Sequence, residues 1–136
     1  MNKIKIFFTI SCVLVLLSVF SIGIFAAEKP PVVIGLQAPI TGDFAVEGEM
    51  AKQCAETAAR MVNDAGGVLD GRMIEIEVVD DAFQPRAGAL AATKFVSMDE
   101  IVAVISTYGS PLVQATSDIY EKAKMVNIAY GATNTD

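Results

Sequence analysis

Histidine and tryptophan are absent from this sequence of 136 residues. Without an imidazole there is no Ser–His–Asp triad, no histidine general base and no histidine metal ligand. Cysteine is scarce. Cys12 interrupts an uncharged apolar run instead of closing it, so it reads as filler and not as a lipid-attachment point. Cys54 is alone beyond that run and has no internal disulfide partner. It is expected to pack as a small hydrophobe on the apolar side of a helix. Basic residues are few and scattered. All sixteen acidic residues follow Ala27, whereas Lys3 and Lys5, two of the ten basic ones, precede it, leaving −8 on the remainder. An acidic chain without basic clusters argues against nucleic acid and against anionic membrane surfaces as partners.

Charge is also missing from Ile6 to Ala27, directly after Lys3 and Lys5. A basic start, an apolar run and small residues before Glu28 form an export signal. Cleavage after Ala27 puts Phe25 at the third position back, which suits the peptidase poorly. The run also reaches the ~20 residues that span a bilayer. Residues 1–27 are therefore expected to be a signal peptide or an uncleaved N-terminal anchor, helical and detached from the domain. Either way the lysines stay inside and the rest goes out. Membrane contact is expected through this segment alone.

Beyond it, apolar runs and helical periodicity alternate. Val32–Leu36 reads as a first strand. Gln37–Gly48 is a loop with Pro39, Thr41, Gly42 and Asp43. Met50, Cys54, Ala58, Met61 and Ala65 recur at helical spacing, and Gly66-Gly67 caps that helix. Met73–Val79 is a second strand, near a sheet edge because Glu75 and Glu77 need solvent. Pro85 opens a second helix with Ala87, Leu90, Ala91, Lys94 and Phe95 on its inner stripe. Ile101–Ile105 is an apolar third strand of the kind buried on both faces. Leu112 to Lys124 is a third helix with Leu112, Thr116, Ile119 or Tyr120, and Ala123 inward. Val126–Tyr130 is a fourth strand. The order βαβαβαβ calls for an α/β fold, a doubly wound parallel sheet in the order 2-1-3-4. Helix two is expected along the flank of helix one. Residues 28–136 are expected to be an incomplete lobe, because four strands and three helices bury a small core.

The chemistry concentrates where strands end. Pro111 suits the first helical position, which places Ser110 at the N-cap. The Tyr108–Gly109–Ser110 turn thus offers a hydroxyl and free N–H groups at the carboxyl edge, where open sheets take ligands. It is expected to hold the carboxylate of a small molecule. The Gln37–Gly48 loop and the Gly131–Thr133 turn follow strands one and four and converge on the same edge. Asp80-Asp81 could bind a divalent metal. The simpler reading is one turn-forming and one helix-capping aspartate. Ser110 could be a nucleophile, but its context is not Gly-x-Ser-x-Gly and nothing places a base beside it.

With those residues in view, the sequence resembles the periplasmic leucine/isoleucine/valine-binding proteins of branched-chain amino acid ABC importers. The marks are Val33-Ile34-Gly35 with Pro39 and Thr41-Gly42, then Asn63-Asp64-Ala65-Gly66-Gly67-Val68 with Gly71. Asp80-Asp81 with Pro85, Ser117-Asp118-Ile119-Tyr120-Glu121 and Gly131-Ala132-Thr133 follow in order. The family is two-lobed and more than twice this length. The match covers the first part of its first lobe. The resemblance implies that Ser110 and Thr133 hold the ligand carboxylate and that the Gly131 carbonyl accepts from the ammonium. It implies that Tyr108 and Gly109 line the side-chain pocket. The aromatic residue of the family's first loop is replaced by Glu47, with Phe44 as a substitute. That exchange opens the ligand class to short amides, ureas and polar amino acids.

The resemblance therefore implies a non-enzymatic, periplasmic or otherwise extracytoplasmic solute-binding component. Its ligand would be an amino acid or small amide and its partner an importer permease, with no cofactor and no metal. A membrane-anchored sensor domain of the same fold is the alternative. An extracytoplasmic hydrolase using Ser110 is the third reading.

Overall fold

Strands and helices alternate without exception: β1 (Val32–Ala38), α1 (Ala45–Asp64), β2 (Ile74–Asp80), α2 (Pro85–Val96), β3 (Ile101–Tyr108), α3 (Ser110–Lys122) and β4 (Val126–Tyr130). The structure is a computed structural model and describes residues 29–134. The expected export segment lies outside the described residues. Among the described residues no helix is long and apolar enough to cross a membrane.

The strands form one parallel sheet in the order β2-β1-β3-β4. Ile34 sits opposite Ile76 on one side and Ala103 on the other, and Ala103 in turn opposite Val126. The register slips between Val33 and Ile34, and this leaves Val102 unpaired with β1 and 52% exposed. The expectation that β3 is buried along its whole length fails at that residue. β2 is an edge strand, as its two glutamates require.

Right-handed crossovers decide where the helices go. The β1–β2 connection steps outward, and the β2–β3 connection steps back across β1. The two crossings therefore lie on opposite faces. α1 covers β1 and β2 on one face, and α2 and α3 pack together on the other. Helix two accordingly lies along helix three, not along helix one as the sequence suggested. Ala92 and Phe95 of α2, Tyr120 of α3, and Ile101 and Val104 of β3 form the core cluster. Each large side chain among them contributes about 1.5–3 kcal/mol on burial.

The inner face of α1 also differs from expectation. Met50 and Met61 are 61% and 68% exposed, and Cys54 is a free, exposed thiol. The buried positions are Gly48 and Ala59. A Cβ at Gly48 would stand 2.0 Å from the Pro39 carbonyl oxygen, so the helix backbone rests directly on the chain leaving β1. That close approach turns the small residues inward and the methionines out. Among the described residues nothing covers the outer edge of β4, where Val126 is 63% and Ile128 69% exposed.

Candidate functional site

The carboxyl ends of all four strands meet along one edge, and each brings an aromatic residue. Phe44 follows β1, Phe83 follows β2, Tyr108 ends β3 and Tyr130 ends β4. Their rings form a continuous row: Phe44 to Phe83 at 4.0 Å, Phe83 to Tyr108 at 6.2 Å, Tyr108 to Tyr130 at 6.0 Å between centroids. Phe44 also lies 5.8 Å from Tyr108. The three contacts that involve Tyr108 fall in the roughly 4.5–7 Å range favourable for tilted aromatic pairs, and Phe44 and Phe83 pack more closely still. The sequence reading anticipated Phe44 and Tyr108 and missed Phe83 and Tyr130. The available signal was one aromatic residue near the end of every strand.

Two of these rings lie on glycines of the expected site. A Cβ at Gly109 would meet the Phe83 ring at 2.8 Å, and a Cβ at Gly131 would meet the Tyr108 ring at 2.5 Å. Both glycines also have positive φ, 85° and 67°, which other residues adopt reluctantly. Each aromatic side chain thus clamps the turn after the strand that follows it in the chain, Phe83 the turn after β3 and Tyr108 the turn after β4.

Ser110 is the first residue of α3, and Gly109 occupies the N-cap. This corrects the expected cap by one residue. The Gly109 conformation supplies the turn, and the Gly109 carbonyl accepts from Leu112 and Val113 N–H. The Ser110 hydroxyl serves elsewhere. Its Oγ accepts from the main-chain N–H of Thr133 at 3.2 Å and of Asn134 at 3.0 Å. The turns after β3 and β4 are therefore tied together through the expected ligand residues. Both partners found for Ser110 are N–H donors. Neither can act as a base, and this leaves the nucleophile reading without support.

Glu47 sits in the first turn of α1 and is half-buried. It does not line the cleft of about 320 Å³ between Thr41–Phe44 and Ala82–Gln84, which Phe44 does. The structure brings Phe44 into contact with the Phe83 and Tyr108 rings.

Beneath the row lies a carboxylate. Asp81 is fully buried and does not cap α2, whose N-cap is Gln84 with no side-chain cap bond. Asp81 Oδ2 accepts from Thr107 Oγ1 and from Gln37 Nε2 at 3.1 Å, and Gln37 Oε1 accepts from the Tyr120 hydroxyl at 2.8 Å. These three donors and acceptors come from β1, β3 and α3, so the network fixes the strand ends relative to one another. Burial, with the Asp81 charge added, pushes the Tyr120 phenol up. Burial first, then Asp81 and Tyr108, does the same for Tyr130. The hydroxyls of Ser106 and Tyr130 are buried with no hydrogen-bond partner among the described residues.

Asp80 holds the first loop. Its Oδ1 accepts from the N–H of Ile40 at 2.8 Å, Thr41 at 3.2 Å and Ala82 at 2.8 Å, and its Oδ2 from Thr41 Oγ1 at 2.5 Å. Partial burial works to raise its pKa, but the Thr41 hydroxyl and the N–H groups of Ala82, Thr41 and Ile40 outweigh this and hold it below its ordinary value. Asp80 and Asp81 are engaged by hydrogen-bond donors. No group of acidic, cysteine or histidine side chains fit to hold a metal ion occurs among the described residues. Between them the aspartates stabilise Ala82 and Phe83 in left-handed conformations, φ 46° and 56°. Such a conformation costs roughly 1–2 kcal/mol per residue.

The sequence profile of the periplasmic binding proteins matches residues 31–136. The chain belongs to the periplasmic binding protein family. Within this family it is similar to Leu/Ile/Val-binding protein homolog 1 of Brucella abortus, 37% identical over 103 residues, which are 76% of this chain and 27% of that protein. Among solved structures it is similar to the branched-chain amino acid transporter substrate-binding protein of Streptococcus pneumoniae in complex with isoleucine. The TM-score there is 0.72 at 27% identity, over 77% of this chain and 30% of that one. It is also similar to a fatty acid ABC transporter substrate-binding protein of Thermomonospora curvata, with a TM-score of 0.67 at 29% identity, over 74% of this chain and 25% of that one. The chain thus spans between a quarter and a third of the length of these periplasmic binding proteins. The expected fold and family hold over that region.

Proposed function

We propose that the chain contributes one half of the ligand site of an extracytoplasmic solute-binding protein serving an ABC importer. The ligand is an amino acid or a related small amide. The observation that carries this reading is the tie between Ser110 and the Thr133–Asn134 turn at the carboxyl edge, beside a row of aromatic rings. The ligand carboxylate is taken by the Ser110 and Thr133 hydroxyls together with N–H groups at the start of α3. There the helix dipole favours an anion by typically ~0.3–1 kcal/mol. The Gly131 carbonyl accepts from the ammonium. Tyr108, Gly109 and Phe44 line the side-chain pocket. The neighbours named for isoleucine and for fatty acid transport share one ligand chemistry, a carboxylate on an apolar chain. That combination matches hydrogen-bond donors set against aromatic rings.

One lobe covers one face of such a ligand. Small-ligand sites normally bury ~70–90% of their ligand. Two or three wet hydrogen bonds at ~0.5–1.5 kcal/mol each roughly cancel the cost of immobilising it. The 136-residue chain is therefore expected to bind leucine no more tightly than about millimolar. In a chimera joining it to the remainder of a relative, Ser110→Ala and Thr133→Ala should each weaken binding by ~1–3 kcal/mol. Calorimetry on the chimera and both variants tests this. Unchanged affinity in both variants would place the carboxylate elsewhere.

A further inference from the structure

We infer that Phe83 determines side-chain specificity at this site: its ring forms the wall that the ligand's apolar group meets, and it locks Gly109 beneath it. The inference rests on the proposed amino acid site and goes beyond it, because no residue of the β2–α2 turn was assigned a role there.

Three observations converge on Phe83. The first is position. The ring makes one corner of a triangle with Phe44 at 4.0 Å and Tyr108 at 6.2 Å, and it borders the open cleft beside the first loop. It is half-buried and stands outside the core cluster. The second is its fit to the neighbouring turn. Any side chain at Gly109 would collide with this ring, so ring and glycine are matched, and Gly109 directly precedes Ser110.

The third is backbone strain. Ala82 and Phe83 are consecutive left-handed residues, at positions where glycine or asparagine would serve a mere connection better. The turn is held in that shape by Asp80 Oδ1 on the Ala82 N–H, and by Asp81 Oδ1 on the Phe83 N–H at 3.0 Å. The Asp81 carbonyl adds a bond from the Gln84 N–H at 2.8 Å. Strain that the surroundings so fully enforce is characteristic of functional positions. Here its effect is to present one ring to the ligand edge.

Nuclear magnetic resonance titrations of the purified full chain with leucine and with alanine, each to about 100 mM to cover weak binding, test the inference. The parent should prefer leucine. Phe83→Ala should lower the leucine-to-alanine preference by about three- to tenfold, below the roughly ten- to 200-fold that one fully enclosed methylene provides because one lobe encloses only one face of the side chain. Its affinity for alanine should change less than about twofold. Phe83→Leu keeps an apolar side chain and should fall between the two. If Phe83→Ala weakens both amino acids equally, the ring only supports the fold and the inference is overturned. An unchanged preference overturns it as well. If Phe83→Ala unfolds, Phe83→Leu decides by the same ratio. If the parent chain responds to neither amino acid, the same leucine-to-alanine ratio is read in the chimera with the remainder of a relative, and no response there removes the amino acid site itself.

Discussion

Replacing Asp80 by alanine removes four hydrogen bonds at once, to Ile40 N–H, Thr41 N–H, Thr41 Oγ1 and Ala82 N–H. Bonds to a charged group contribute ~1.5–3 kcal/mol each when protected. Asp80 is exposed, so solvent screening discounts that figure heavily. We expect Asp80→Ala to cost about 2 kcal/mol. Asp80→Asn keeps one acceptor oxygen for the N–H groups and should cost about 1 kcal/mol. Urea unfolding followed by circular dichroism reads both. The sign of the pH dependence follows from the lowered pKa. A carboxylate that titrates lower when folded contributes its stability above its unfolded pKa. The contribution is lost as the pH falls through the folded value. The gap between parent and Asp80→Asn should be constant from about pH 5 to 7 and shrink below about pH 4. A parent and variant of equal stability at neutral pH, or a gap that persists undiminished in acid, would refute the clasp.

Tyr130→Phe deletes a buried hydroxyl with no partner among the described residues, so it should be neutral or stabilising by up to ~1 kcal/mol in the same urea assay. Gly48→Ala forces a Cβ against the Pro39 carbonyl and should destabilise by ~1–3 kcal/mol, seen as a lower melting temperature. Ile128→Lys puts a charge on the uncovered β4 edge. It should reduce self-association in light scattering while changing stability by less than about 0.5 kcal/mol.

Strand order and helix count were legible because apolar runs, glycine pairs and Pro85 punctuate the chain where the backbone changes state. The inward face of α1 was not. Met50, Cys54 and Met61 form as regular a stripe as Gly48 and Ala59. Hydrophobicity favours the first, while the close approach to Pro39 demands the second. That distance is a tertiary fact with no local mark. Asp81 was read as a cap because aspartates in turns usually cap. Its burial depends on Gln37 and Thr107, which the chain brings from two other strands. Ser110 was displaced from the N-cap because Gly109 takes the left-handed conformation that starts the helix. The Tyr108–Ser110 and Gly131–Thr133 turns were legible at one edge from where the strands end, and the individual roles expected of Gly131, Thr133, Tyr108 and Phe44 came from the resemblance. Phe83 and Tyr130 required comparing what stands at the end of each strand.

The central claim is that the carboxyl-edge turns receive the ligand. Amide chemical shifts of the full chain on addition of leucine test it most directly. The account predicts that the largest shifts fall on Tyr108, Gly109, Ser110 and Gly131 to Asn134, with Phe83 beside them. Largest shifts along the exposed Met50–Met61 side of α1, or at the opposite edge around Lys29 and Met73, would contradict it.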